Sequence, residues 1–576
     1  MASFTSQSSD ARSIHTVASN SGKPGPAAPA QEADFPDSLD SGFNFKILLS
    51  SAAAAISSLN FGWCLGEPNV PEDIIKKCIE GPEATINGLP TCLPMGNTMW
   101  GLIVGLVALG ALTGSLIAGK AADRFGRKTV LLANNFFFIA GALLLGTSTT
   151  IAQLAIGRFV SGVGCGVAST VVATYNSECA PIKARGLLGT MLQLSVEFGI
   201  FFSQLIATFL VDVPNWRILF GLSGAISLVQ LAWLPFMPES PKFLITKGKF
   251  EEAARALQFL RPRCDISREL ESMIDSVASA AAANDSSAES SSASDRDGGF
   301  VCERGLNSSV GSGEADKKKK SRAVSIRSVS TICVPANAGL MDIVKGRTPH
   351  VIWHMLFCTL FLMGFQQWTG AKGIVFYSTE ILVKVLNLSD SQMRETPNSA
   401  QWVTIGVAAA GIVAVFVSMN LIDRLGRRRL LLLSSSGVSA ACLLIVIGCA
   451  CNVPVLAVVA MFAFKIAYGL GMAPIPWLAA SEMLPYYALG TLSGIASALN
   501  WTMIFIIGLL FPVLAGALGN FLFLPFAALN FCAFAVILLT VPETRGRHIS
   551  DILFHHGKRV HVVFSLQRRK ASTQCA

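Results

Sequence analysis

The residues best placed to do chemistry in this 576-residue chain are neutral amides and indoles inside long apolar runs. Gln193, Gln366, Gln367 and Asn500 offer donors and acceptors together, and Trp477 and Trp501 offer flat apolar faces. That set suits reversible binding of a small polyhydroxylated solute, because amides match hydroxyls in both senses and an indole stacks on a sugar ring. Among the charges in or at the ends of apolar runs, Glu67, Glu197, Lys372 and Lys465 call for an explanation. Charges at bilayer depth are costly and mark function. Lys372 is expected either to find a carboxylate or to snorkel to outside water, and Lys465 has no assigned role. The sequence has no metal-ligand spacing, nucleophile elbow or phosphate loop. No enzyme, metal or cofactor is expected.

The elements that must position these groups are membrane helices. Hydrophobic residues make up 52% of the chain and charged residues 14%, with a mean hydropathy of +0.54, outside the range of soluble domains. Twelve apolar runs can span about 30 Å of hydrocarbon, near 45–66, 97–119, 129–148, 151–175, 187–210, 217–237, 350–382, 400–421, 430–449, 452–478, 490–514 and 519–541. Landmarks repeat between the two sets of six at an offset of 300 to 304 residues: Phe61 and Phe365, Gly66 and Gly370, Glu178 and Glu482, Glu239 and Glu543. The fold class is therefore an all-α membrane protein of two six-helix bundles, with a site between them near the midplane. Residues 1–44 read as a disordered cytosolic tail, 45–237 and 346–541 as the bundles, and 542–576 as a second tail. Between the bundles, 238–345 reads as a cytosolic loop with short helices and a disordered Ser/Ala-rich segment.

Lys and Arg gather in the loops on one side, which makes both termini cytoplasmic. The net charge of +9 fits that bias and contact with anionic lipid, not nucleic acid. Lys317 to Lys320 reads as a solvated juxtamembrane patch, Cys78 and Cys92 as a candidate disulfide in the first outside loop, and Asn387 as a glycosylation sequon there. No cleavable signal peptide is expected. Short cytosolic links repeat a charged pattern, Asp123, Arg124, Arg127 and Asp423, Arg424, Arg427, facing Glu178, Arg185, Glu239, Glu482 and Glu543. Acids contribute nothing to the positive-inside rule, so these residues predict a cytosolic gate of ion pairs across the two halves.

The ordered motifs G-x-x-x-D-R-x-G-R-K at 119–128, R-F-V-S-G-V-G-C-G at 158–166, P-E-S-P-K-F-L at 238–244, Q-Q-W-T-G at 366–370, P-I-P-W at 474–477 and P-E-T-R-G-R at 542–547 resemble the sugar porters of the major facilitator superfamily. The resemblance covers roughly residues 45–550. It implies a plasma-membrane carrier for a monosaccharide, a hexose such as glucose, working by alternating access. The six amides and indoles fall at or beside its sugar positions. It also implies that Gln193 and Gln367 approach one ligand, so that Glu197, or alternatively Glu67, neutralises Lys372 at an outer gate or coupling site. The chain departs from the pattern at Lys372, Gly411, Gly469 and Ile504, where the family carries other sugar-facing groups, and at Leu489, where it carries an Arg. Cys64 stands where proton symporters of the family place an Asp, which favours facilitated diffusion. Alternatives are a proton-coupled sugar or polyol symporter, a carrier of another small polar solute, and a non-transporting nutrient sensor.

Overall fold

The structure is a computed structural model and describes residues 44–78, 84–86, 88–181, 185–210, 215–262, 266–267, 269–274, 350–386, 399–484 and 489–545. The Lys317 to Lys320 patch, the Asn387 sequon and most of both tails and of the central loop lie outside the described residues.

In the first half, spans 1 to 6 are Phe45–Gly66, Asn97–Phe125, Arg127–Gly146, Ile151–Cys179, Arg185–Phe209 and Trp216–Trp233. The second half contributes span 7 in two pieces, His350–Trp368 and Ala371–Val385, then span 8, Ser399–Leu425, and span 9, Arg427–Ala450. Span 10 is also in two pieces, Pro454–Leu470 and Ile475–Met483, followed by span 11, Leu489–Leu518, and span 12, Leu524–Thr540. Ten of the helical segments are long and apolar enough to cross a bilayer unaided. The split span 7 and the 17-residue span 12 complete a twelve-helix fold. Helices are the form a chain takes in hydrocarbon, since each satisfies its own backbone.

Starts and stops follow local chemistry. Asn44 caps span 1 through Lys46 N at 3.3 Å, and Thr150 caps span 4 through Gln153 N at 3.2 Å. Inside the bilayer, packing replaces the hydrophobic effect as the force between helices, and small residues permit it. Spans 2 and 4 show this: a Cβ at Gly110, Gly114, Gly162 or Gly166 would collide with the backbone of the facing helix. The seam between the halves is formed by span 2 against span 11 and span 5 against span 8. After span 6, Ser240 caps the short helix Pro241–Thr246, and Phe250–Leu260 buries Ala253, Ala256, Leu257 and Leu260 on one face.

Two spans are broken within their apolar runs: the break in span 7 is not announced by the sequence, whereas Pro474 and Pro476 announce the one in span 10. Span 7 stops at Trp368 and restarts at Ala371 through Gly370 at φ +90°. Span 10 stops at Leu470 and restarts at Ile475, where Pro474 and Pro476 lack the N–H groups a helix needs. Breaks at bilayer depth require new partners for the freed backbone. Ser434 Oγ accepts from Met472 N at 3.0 Å, and Gln366 Nε2 donates to the carbonyls of Met472 and Ala473, both at 2.8 Å. At the other break, Asn530 Nδ2 donates to Thr369 O at 3.3 Å.

Candidate functional site

A cavity lies at the seam of the two halves, with about 470 Å³ of space free of protein atoms, its openings included. It is lined by Phe61 of span 1, Gln193 and Glu197 of span 5, Gln366, Gln367 and Lys372 of span 7, Lys465, Tyr468 and Trp477 of span 10, and Asn500 and Ile504 of span 11. Five of the six amides and indoles singled out in the sequence thus meet at one place. Trp501 does not line it. It is fully buried one layer back, with its ring centroid 5.1 Å from that of Phe61, the aromatic face that does reach the cavity.

The amides divide into two kinds. Gln366 is saturated: its Nε2 holds the broken span 10, and its Oε1 accepts from Asn500 Nδ2 at 2.8 Å and Gln367 Nε2 at 3.1 Å. Asn500 is likewise occupied, donating to Met363 O at 2.6 Å and accepting from Gln367 Nε2 at 3.2 Å. Gln367 Oε1 remains buried without a partner. On the facing half, Gln193 uses only its Nε2, donating to Glu197 Oε1 at 3.2 Å. Unspent groups of Gln367 and Gln193 therefore face each other across the seam, and a solute hydroxyl can satisfy them.

The charges pair differently from the expectation. Glu67 meets Arg158 of span 4, with Nη1 2.6 Å from Oε1, and both side chains are at most 1% exposed. Glu197 Oε2 lies 2.9 Å from Lys465 Nζ across the two halves, at a geometry that falls short of an aligned hydrogen bond. Neither carboxylate forms an ion pair with Lys372, which corrects the predicted pairing. The physical reason is reach. A Cβ at Gly411 of span 8 would collide with Lys465 Cε and lie 2.9 Å from Glu197 Oε2. The missing side chain on span 8 is the channel through which Lys465 passes from span 10 to span 5.

The charged motifs form two closely matched clusters at the same face of the bundle. In the first half, Glu239 accepts from the backbone N–H of Arg127 and Lys128, both at 3.0 Å, so a carboxylate caps span 3. The Arg127 guanidinium pairs with Glu178 and Asp123 at 3.0 Å each, and Ser240 donates to Glu178 at 2.5 Å. In the second half, Glu543 caps span 9 through Arg427 N at 2.9 Å and Arg428 N at 3.1 Å. Arg427 pairs with Glu482 at 3.0 Å and Asp423 at 3.1 Å, and Thr544 donates to Glu482 at 2.6 Å. Gly126 at φ +102° and Gly426 at φ +88° leave room for those capping carboxylates, which would sit 2.5 and 2.6 Å from an added Cβ. Arg124 and Arg424 are exposed, and the side chain of Arg185 lies outside the described residues. Every described pair in these clusters stays within its own half; the ion pairs across the halves, expected to break when that side opens, are not among the described contacts. The short links tie span ends of one bundle because their partners stand at the end of that bundle's fourth span and just after its last.

Contacts between the halves do occur at the opposite face. Asn69 Nδ2 donates to Ser378 Oγ at 2.8 Å, and Asn69 Oδ1 accepts from Thr379 N at 3.2 Å. They join the loop after span 1 to the second piece of span 7. In the same loop Cys78 and Cys92 form a disulfide. Glu72 and Lys76 pair at 2.6 Å there, each side chain 6% exposed, and burial pushes the Glu72 carboxyl up to about 7 despite the lysine.

Arg158 and Asn69 were missed by sequence reasoning. Arg158 carried a signal, since a cation in the middle of an apolar span requires a partner. Asn69 carried none, being one polar residue in a loop.

Comparison with known proteins agrees with this geometry. The family model described as sugar (and other) transporter matches residues 50–295 and 310–553. A probable metabolite transport protein of Saccharomyces cerevisiae is 28% identical over 87% of this chain and 93% of its own length. Facilitated glucose transporter member 5 of solute carrier family 2, from Homo sapiens, is 30% identical over 79% of this chain and 80% of its own. The solved structure of a major facilitator proton:xylose symporter superposes with a TM-score of 0.65 at 18% identity, covering 88% of this chain and 98% of that one. The family match spans both bundles, and the chain belongs to the sugar porters of the major facilitator superfamily.

Proposed function

We propose that this sugar porter carries a polyhydroxylated solute of monosaccharide size by alternating access, without covalent chemistry. The observation that carries the reading is the seam cavity, where unspent amide groups of Gln193 and Gln367 approach from opposite halves beside Phe61 and Trp477. Gln193, Gln367 and Trp477 contact the solute; Gln366 and Asn500 position them; Trp501 backs Phe61. The Asn69 contacts are the outer gate. The clusters around Arg127 and Arg427 keep each bundle rigid at the cytosolic face as the halves rock. Glu67 is held by Arg158 and Cys64 replaces the family's coupling acid, so the mode is facilitated diffusion. Both termini lie in the cytosol, the carrier sits in the plasma membrane, and its basic loops meet anionic lipid, with no nucleic-acid partner.

The test is uptake of labelled monosaccharides and polyols into proteoliposomes with and without a proton gradient. Saturable, gradient-insensitive uptake is expected, with KM raised roughly tenfold in Gln367→Ala. Absence of saturable uptake for every such solute contradicts the reading.

A further inference from the structure

The seam cavity carries more positive than negative charge. Lys372 and Lys465 both line it, and Glu197 is the single carboxylate among its lining residues. One carboxylate neutralises one ammonium. Glu197 is committed to Lys465 at 2.9 Å and to Gln193 at 3.2 Å. Glu67, the other candidate partner, is held by Arg158 and does not line the cavity. Among the described residues no hydrogen bond or ion pair engages Lys372. Lys372 lines the same cavity as Glu197 and Lys465, at the seam of the halves.

Resting on the carrier reading above, we infer that the solute is itself an anion: a sugar acid whose carboxylate pairs with Lys372 while Gln193 and Gln367 take its hydroxyls. Two features of the site fit that solute and not a neutral hexose. A neutral sugar would leave Lys372 without a counter-ion in the cavity, whereas a carboxylate supplies one through a charge-assisted hydrogen bond. Gly411 serves the same end. By letting Lys465 reach Glu197, it cancels the one fixed negative charge that would otherwise repel an incoming carboxylate. The cluster thus keeps a single uncommitted positive charge beside the hydroxyl-reading amides, which matches a monocarboxylate in charge.

The test uses purified full-length protein and matched pairs that differ by one carboxylate: D-galacturonate with D-galactose, D-glucuronate with D-glucose, and D-gluconate with D-glucitol. Binding is followed by calorimetry at neutral pH. At least one acid is expected to bind roughly 100-fold more tightly than its neutral partner, as for a desolvated charge pair. Lys372→Met collapses that ratio and Lys372→Arg keeps most of it, with thermal melting showing that both variants are folded. Neutral sugars binding as tightly as every acid would overturn the inference while leaving the carrier reading standing. A ratio unchanged in Lys372→Met would overturn the role of that lysine. Binding of no member of any pair to folded protein would overturn the carrier reading and the inference with it.

Discussion

The two halves match at the face that carries the Arg127 and Arg427 clusters and differ at the centre of the bundle. Around Arg127 and Arg427 the same four roles recur: an arginine, a carboxylate at the end of the fourth span of the half, a capping carboxylate after its last span, and a hydroxyl beside it. At the centre the symmetry is lost. Spans 1 and 4 run unbroken, and their charges close on each other as Glu67 and Arg158. Spans 7 and 10, their counterparts, are both broken, spend an amide on the break, and present lysines to the cavity. The difference separates two demands on a duplicated carrier. Each half must hold its shape in the same way, while the solute is read by one half more than by the other.

That comparison can be broken most sharply at the two central ion pairs. Arg158→Met leaves Glu67 buried without a partner and is expected to cost about 3–5 kcal/mol of stability in detergent, measured by denaturant unfolding. Lys465→Met, beside the cavity where water can solvate Glu197, should cost less than half of that; equal losses would mean that the two pairs are alike. At the two arginine clusters the expectation is equality. Glu239→Ala and Glu543→Ala each remove backbone N–H caps and should each cost about 1.5–3 kcal/mol, and a clear inequality would break the proposed equivalence of the clusters.

Within the second half, Gln366→Ala strands the carbonyls of Met472 and Ala473 and is expected to lower the unfolding free energy by about 1–3 kcal/mol. Gln367→Ala should act chiefly on KM. Similar effects of both on both quantities would remove the distinction between positioning and contact. The outer loops offer the mildest contrast. The folded first loop favours neutral Glu72, so the stability this confers is complete below its ordinary value of 4.5. It is lost as pH rises through about 7, with a slope of about 1.4 kcal/mol per pH unit, and Glu72→Gln should flatten it. The corresponding pair in the second half, Glu380 with Lys384, is 26% and 64% exposed. Glu380→Gln should change stability by less than about 1 kcal/mol.

Much of this was legible in the sequence. The twelve apolar runs, the repeated landmarks and the amides follow from hydropathy, spacing and residue type, which are local properties. Pairings were not legible where they depend on three elements at once. Lys465 reaches Glu197 because span 8 has no side chain at Gly411, and a sequence gives the glycine without saying what passes over it. The break at Gly370 was hidden for a related reason, since its neighbours are apolar enough to continue a span, whereas Pro474 and Pro476 announced the break in span 10. The compensating partners Gln366, Ser434 and Asn530 come from distant segments and were not legible. The cytosolic clusters were legible in membership but not in reach, since the motif names the charges and the fold decides that each set closes within its own bundle.

The most direct test of alternating access at this seam is a reversible lock on the outer gate. Asn69→Cys combined with Ser378→Cys replaces a 2.8 Å hydrogen bond between the halves with a pair of thiols. Oxidation of the double variant in proteoliposomes should abolish solute flux, reductant should restore it, and neither single variant should respond. Full flux through protein shown to be cross-linked at these positions would contradict the account.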